Sequence, residues 1–74
     1  MLEPKTIVGK KIRRIRALLG VTQAVFGKML SVDQIIVSRW ELGTVRPSFK
    51  NFSKINKIAR KVDIKITIED LDES

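Results

Sequence analysis

The 74-residue sequence contains no cysteine and no histidine. Without cysteine there is no disulfide framework, thiolate ligand or nucleophilic thiol, and without histidine the commonest general base and metal ligand is gone. Paired carboxylates in a catalytic arrangement, a glycine-rich phosphate loop and a metal-ligand cluster are missing as well. An enzyme is therefore not expected, and nothing calls for a metal or a cofactor. No apolar run approaches the roughly 20 residues that cross a bilayer, and the opening MLEPKTIVGKK lacks the apolar stretch of a secretory leader, so the expectation is a cytoplasmic protein with no membrane partner. Proline is scarce: Pro4 and Pro47 are the two, both placed where helices would start. No internal repeat or low-complexity segment is visible. At this length, with 43% apolar residues, the chain makes one small domain whose core needs regular packing or a partner.

Acid is scarce too, with 8 Asp and Glu against 15 Lys and Arg, a net charge of +7 and a pI near 10.3. Such a balance suits a polyanionic partner, nucleic acid or an anionic surface. The distribution is sharper than the sum. Residues 1–62 carry 14 basic and 3 acidic side chains, whereas residues 63–74 carry five acids and one lysine. The body attracts phosphate and the tail repels it.

Punctuation and periodicity divide the chain into four helices and a final strand. From Thr6 to Leu19, Val8, Ile12, Ile15 and Leu19 form one helical stripe with Lys10, Lys11, Arg13 and Arg14 off it, and Gly20 ends the helix. Thr22 caps a short helix, Gln23 to Leu30, with Val25 or Phe26, Met29 and Leu30 expected inward. After a turn at Ser31 and Val32, Asp33 caps a third helix, Gln34 to Leu42, which Gly43 terminates. Pro47 and Ser48 open a fourth that carries Phe52, Ile55, Ala59 and Val62 on one side, with Lys50, Lys54, Lys57 and Lys61 largely on solvated faces. Then the period changes: Ile64, Ile66 and Ile68 alternate with Lys65, Thr67 and Glu69, as in a half-buried strand.

The third helix has two distinct faces. Counting about 100° per residue from Val37, Trp40 and Glu41 fall within about 60° of it, while Ile35 and Arg39 lie about 160° away. Trp40 could stack on a base, but its arc places it in the core. Glu41, the only acid between Asp33 and Asp63, reads as a structural partner rather than a surface accident. Gln34 is intermediate and sits in the first turn, where it reaches past the helix end. Outward, therefore, stand Gln34, Ile35 and Arg39 on a strongly basic body. Arginine can grip guanine O6 and N7, glutamine can pair with adenine N6 and N7, and isoleucine can meet a thymine methyl in the major groove.

The run IRRIRALLGVTQAVFGKMLSVDQIIVSRWELGTVRPS resembles the Xre or Cro-repressor type of helix-turn-helix domain. The likeness covers about residues 8–63 and rests most specifically on Thr22-Gln23, Val37-Ser38-Arg39-Trp40-Glu41, Gly43 and Pro47-Ser48. It implies an all-α, four-helix fold of the Cro and phage-repressor kind with a DNA-binding domain over 1–63, to which the alternation after Asp63 adds a short C-terminal β-strand, making 64–74 a dimerisation strand with an acidic tail. By the same resemblance Gln34, Ile35 and Arg39 take base-reading positions. Gln23, which also braces Gln34, takes a backbone-contacting position with Ser38, Thr44 and Arg46, and Arg16 pairs with Glu41 to join the first and third helices. Two positions depart from the pattern. Gly27 replaces the usual alanine at a helix crossing that needs a small residue. Ser31 replaces the frequent turn glycine, which costs about 1 kcal/mol if the residue is left-handed.

A lone strand cannot satisfy its own backbone, so Ile64, Ile66 and Ile68 suggest a two-stranded ribbon shared between two copies of the chain. A homodimer suits a palindromic operator on double-stranded DNA. Such a ribbon is similar to that of HipB-type antitoxins, which repress their own operon and bind a toxin protein. The expected function is thus a DNA-binding repressor, an autoregulating antitoxin first. A phage or mobile-element repressor and a chiefly toxin-binding module stand as alternatives, and a nonspecific basic binder of nucleic acid or membrane surfaces is disfavoured by the mixed reading set. The acidic tail, Glu69 to Ser74, is expected to fray.

Overall fold

The computed structural model of the chain describes residues 6–72: α1 (Ile7–Leu19), α2 (Gln23–Leu30), α3 (Gln34–Leu42), α4 (Phe49–Ala59), a 3-10 turn (Arg60–Val62) and α5 (Ile68–Asp72). Pro4, Glu73 and Ser74 lie outside the described residues, and with them the helix start expected at Pro4.

Each of the first four helices opens on a side-chain cap. Thr6 Oγ1 accepts from Gly9 N–H, Thr22 Oγ1 from Val25 N–H, Asp33 from Ile35 N–H and Ser48 from Asn51 N–H. These bonds satisfy amides that a helix start otherwise leaves bare. The first three helices close on left-handed residues, Gly20, Ser31 and Gly43. Ser31 takes φ 60°, so the turn between α2 and α3 carries the strain that a glycine would relieve. Gly27 makes the tight crossing there: a Cβ on it would stand 2.6 Å from the Val32 carbonyl oxygen.

The core gathers Val8, Ile12 and Ile15 from α1, Phe26 and Leu30 from α2, Val37 and Trp40 from α3, Phe52, Ile55 and Ala59 from α4, and Ile66. Leu19 and Val62 pack against its margin, Val62 from the 3-10 turn rather than from α4. In α2 the inward pair is Phe26 and Leu30. Met29, expected inside, is 44% exposed, as is Val25. Gly27 pressed on the α2–α3 turn fixes this phase, and it rotates the 25/29 edge to solvent.

Two C-terminal expectations are corrected. Residues 64–67 form no strand, because the amides of Ile64, Ile66 and Thr67 find partners inside the chain. Ile64 N–H donates to the Ala59 carbonyl at 3.1 Å. The Asn56 side chain grips Ile66 from both sides, its Oδ1 accepting from Ile66 N–H and its Nδ2 donating to Ile66 C=O, each at 2.9 Å. Ile66 itself is buried in the core of its own chain, Ile64 is half-buried, and Ile68, the first residue of α5, is 61% exposed. An unsatisfied strand was the reason for a shared ribbon, and that reason is gone.

Nor does the whole tail fray. Thr67 and Asp70 form a reciprocal capping box: Asp70 Oδ2 accepts from Thr67 N–H at 2.9 Å and Thr67 Oγ1 from Asp70 N–H at 3.3 Å. Lys11 on α1 reaches the same carboxylate at 2.7 Å and donates to the Lys65 carbonyl at 2.9 Å. Burial raises the Asp70 pKa, but the bonds from Lys11 and Thr67 and the charge of Lys11 outweigh it and hold the carboxyl below its ordinary range. α5 is thereby tied to α1.

Candidate nucleic-acid interface

α2, the turn at Ser31 and α3 form a helix-turn-helix, and core burial of Phe26, Leu30, Val37 and Trp40 orients it. Burying one side of α3 leaves the opposite side to solvent. Gln34, Ile35 and Arg39 are all exposed, Ile35 at 53%. Ile35 and Arg39, four residues apart, share one helical face. No hydrogen bond or ion pair among the described residues involves the Arg39 guanidinium, so it is available to an outside acceptor.

The other candidates fall around this face. Arg46 is exposed in the loop after α3, and Ser38 is half-buried. Thr44 is exposed, but its hydroxyl donates to the Arg39 carbonyl at 3.3 Å while its N–H donates to the same oxygen at 3.0 Å. Its proton is thus engaged in closing α3.

Behind the face runs a chain of polar contacts from the interior. Glu41 is 4% exposed, and Arg16 meets it with two bonds, Nε to Oε2 at 2.7 Å and Nη2 to Oε1 at 3.2 Å. Arg16 Nη1 also donates to the Val21 carbonyl at 3.1 Å, joining α1, α3 and the first turn in one junction. The bonds to Glu41 hold the Arg16 pKa above its ordinary value, against burial and with help from the carboxylate charge. Glu41 Oε1 further accepts from Gln23 Nε2 at 3.2 Å, and Gln23 Oε1 accepts from Gln34 Nε2 at 2.8 Å. No buried side-chain nitrogen or oxygen among the described residues lacks a partner. Gln23 is thus linked at one end to the buried pair and at the other to the exposed Gln34. The Gln23–Glu41 bond is the contact that sequence reasoning missed, since it joins residues 18 positions apart whose meeting depends on how α2 crosses α3.

Among the described residues no helix is long and apolar enough to cross a membrane, and no cluster of three or more carboxylates could hold a metal.

A helix-turn-helix family model matches residues 12–67, most of the chain, and the protein belongs to that family. Among curated proteins, the Repressor protein C2 of Salmonella phage P22 is 33% identical over 51 residues, which are 69% of this chain and 24% of the repressor. The chain therefore spans about a quarter of that relative's length. Two solved structures superpose with a TM-score of 0.68 each. One is the P22 c2 repressor in complex with synthetic operator 9T in the presence of Tl+, 32% identical and covering 72% of this chain and 80% of that one. The other is the solution structure of the DNA-binding domain of the P22 C2 repressor, 30% identical over 76% of this chain and 74% of that one.

Proposed function

We propose that this chain is the operator-reading part of a transcriptional repressor of the phage type, acting in the cytoplasm by binding double-stranded DNA rather than by catalysis. The carrying observation is the exposed set Gln34, Ile35 and Arg39, held on the side of α3 opposite the buried Val37, Trp40 and Glu41. With α3 in the major groove, Arg39 addresses guanine, Gln34 adenine and Ile35 a thymine methyl. Gln23, Ser38 and Arg46 approach the phosphates, and Thr44 supports α3 by its engaged hydroxyl. The similarity to a repressor solved with a synthetic operator supports this reading.

One α3 covers only a few base pairs. A homodimer on a palindromic operator places two recognition helices about 34 Å apart on one face of the duplex and gains from joint engagement. Nothing supports the antitoxin role expected first, nor the chiefly toxin-binding module, since both rest on the shared ribbon of Ile64, Ile66 and Ile68.

Selection from a randomised duplex pool tests the proposal. The expected product is an inverted repeat with half-site centres about one helical turn apart. Recovery of sequences with no common element would refute it.

A further inference from the structure

Glu41 lies in the interior and has no access to a groove, yet the polar chain leading from it ends on a base-reading side chain. An amide has two chemically different ends, and which end faces the groove decides which base it fits. Adenine presents an acceptor and a donor in the major groove, N7 and N6, whereas guanine presents two acceptors, N7 and O6. A glutamine that shows its oxygen and one N–H suits adenine. One that shows only its NH2 suits guanine.

From these contacts we infer that Glu41 is a specificity-positioning residue, which sets the amide polarity of Gln34 through Gln23 and so directs it to adenine. The inference rests on the proposed reading of DNA by α3. A carboxylate bonded to Arg16 offers only acceptors, so the end of Gln23 that faces Glu41 must be Nε2, as observed at 3.2 Å. Gln23 then turns Oε1 toward Gln34, which must answer with Nε2, as observed at 2.8 Å. One Gln34 N–H is consumed. Its Oε1 and second N–H remain, the pair that matches adenine N6 and N7. Each link has one permitted polarity because its inner neighbour is fixed, and the chain begins at a guanidinium that can only donate.

The same logic states what inverts it. In Glu41→Gln the new amide keeps its oxygen on Arg16 Nε, the shorter of the two bonds at 2.7 Å, gives up the 3.2 Å bond from Arg16 Nη2, and turns its NH2 to Gln23. Gln23 must then present Oε1 inward and NH2 outward, Gln34 must accept with Oε1, and its NH2 is left for the groove. The single buried substitution is expected to move the preference at one base pair of each half-site from adenine toward guanine. Gln23→Lys is a second route that leaves the Arg16–Glu41 pair intact: an ammonium only donates, so Gln34 again accepts and presents NH2.

The experiment measures binding of the parent, Glu41→Gln, Gln23→Lys and Gln34→Ala to duplexes of the selected operator with each of the four base pairs at every position. Gln34→Ala identifies the adenine position by losing discrimination there. At that position the adenine-to-guanine affinity ratio is expected to fall by at least about fivefold in Gln23→Lys, and in Glu41→Gln where it folds, with other positions unchanged. A folded variant that keeps the parental ratio overturns the relay while leaving base reading by Gln34 standing. If Gln34→Ala changes no position, Gln34 is not a reader, and the relay falls with that part of the functional proposal.

Discussion

Asn56 is the residue on which the path of the C-terminal segment depends. Asn56→Ala removes both 2.9 Å bonds to the Ile66 backbone. Each such bond contributes about 0.5–1.5 kcal/mol net, and an N–H or C=O left dry costs about 1–3 kcal/mol more. The Ile66 side chain is fully buried, but the two bonds sit in a half-buried site where water recovers part of the loss. The expected cost is therefore about 2–3 kcal/mol, a large share of the total stability of a domain of this size. At about 4–8 °C per kcal/mol, the melting temperature should fall by about 10–20 °C.

Thermal and urea unfolding read the global effect. Native-state hydrogen exchange reads the local one, because Ile66 N–H loses its acceptor whether or not the rest of the fold survives. The Ile66 amide should lose protection in Asn56→Ala beyond the change at core amides of α1. A variant with the parental melt and a protected Ile66 amide would show that another group satisfies this backbone, as a partner strand would, and would refute the path described for residues 64–67.

Three further outcomes are expected. Glu41→Ala strips the partner from a mostly buried Arg16 and should cost about 3 kcal/mol, while Arg16→Met with Glu41→Leu should recover most of it; equal melts for the single and double variants would refute the mechanism. Ser31→Gly relieves a left-handed backbone against a more flexible unfolded chain and should stabilise by about 0.5–1 kcal/mol in a thermal melt, and a lower melting point would contradict the strain. Asp70, whose folded pKa is lowered, contributes stability present above its unfolded value of about 3.9 and lost as pH falls through the folded one. The gap in stability between parent and Asp70→Asn should therefore be open near neutral pH and close in acid; a gap independent of pH would assign Asp70 no ionic role.

The first four helices were legible because their ends carry chemistry that local sequence displays. Thr22, Asp33 and Ser48 cap, Gly20 and Gly43 stop, and the structure uses each of them in that way. The phase of α2 was not legible from apolar spacing, since Val25/Met29 and Phe26/Leu30 are equally good stripes on an eight-residue helix. Gly27, whose smallness the crossing needs, would have settled it in favour of 26 and 30. At the C-terminus two patterns competed. The alternation Ile64, Ile66, Ile68 suggests a strand, while Thr67 followed three residues later by Asp70 is a helix-start signature. The second prevailed because Asn56 supplies the edge that a strand would have needed, and that contact spans ten residues and depends on the orientation of α4. On the functional face, helical phase alone set Ile35 and Arg39 outward. Of the inner polar chain, the family resemblance implied the Arg16–Glu41 pair and the Gln23–Gln34 contact, while the Gln23–Glu41 link between them depends on the crossing of α2 on α3, which no local pattern encodes.

The most direct test of base reading by α3 is the ratio of specific to nonspecific affinity for Arg39→Ala, measured against salt on the selected operator and on random duplex. A bidentate guanine contact predicts a loss of about 1–3 kcal/mol on the operator, little change on random DNA and relaxed preference at one base pair. Arg46→Ala in parallel should weaken both duplexes alike and flatten the salt slope by about one per half-site. Equal losses on operator and random DNA for Arg39→Ala would contradict the assignment, making the exposed face of α3 a phosphate contact rather than a reader of sequence.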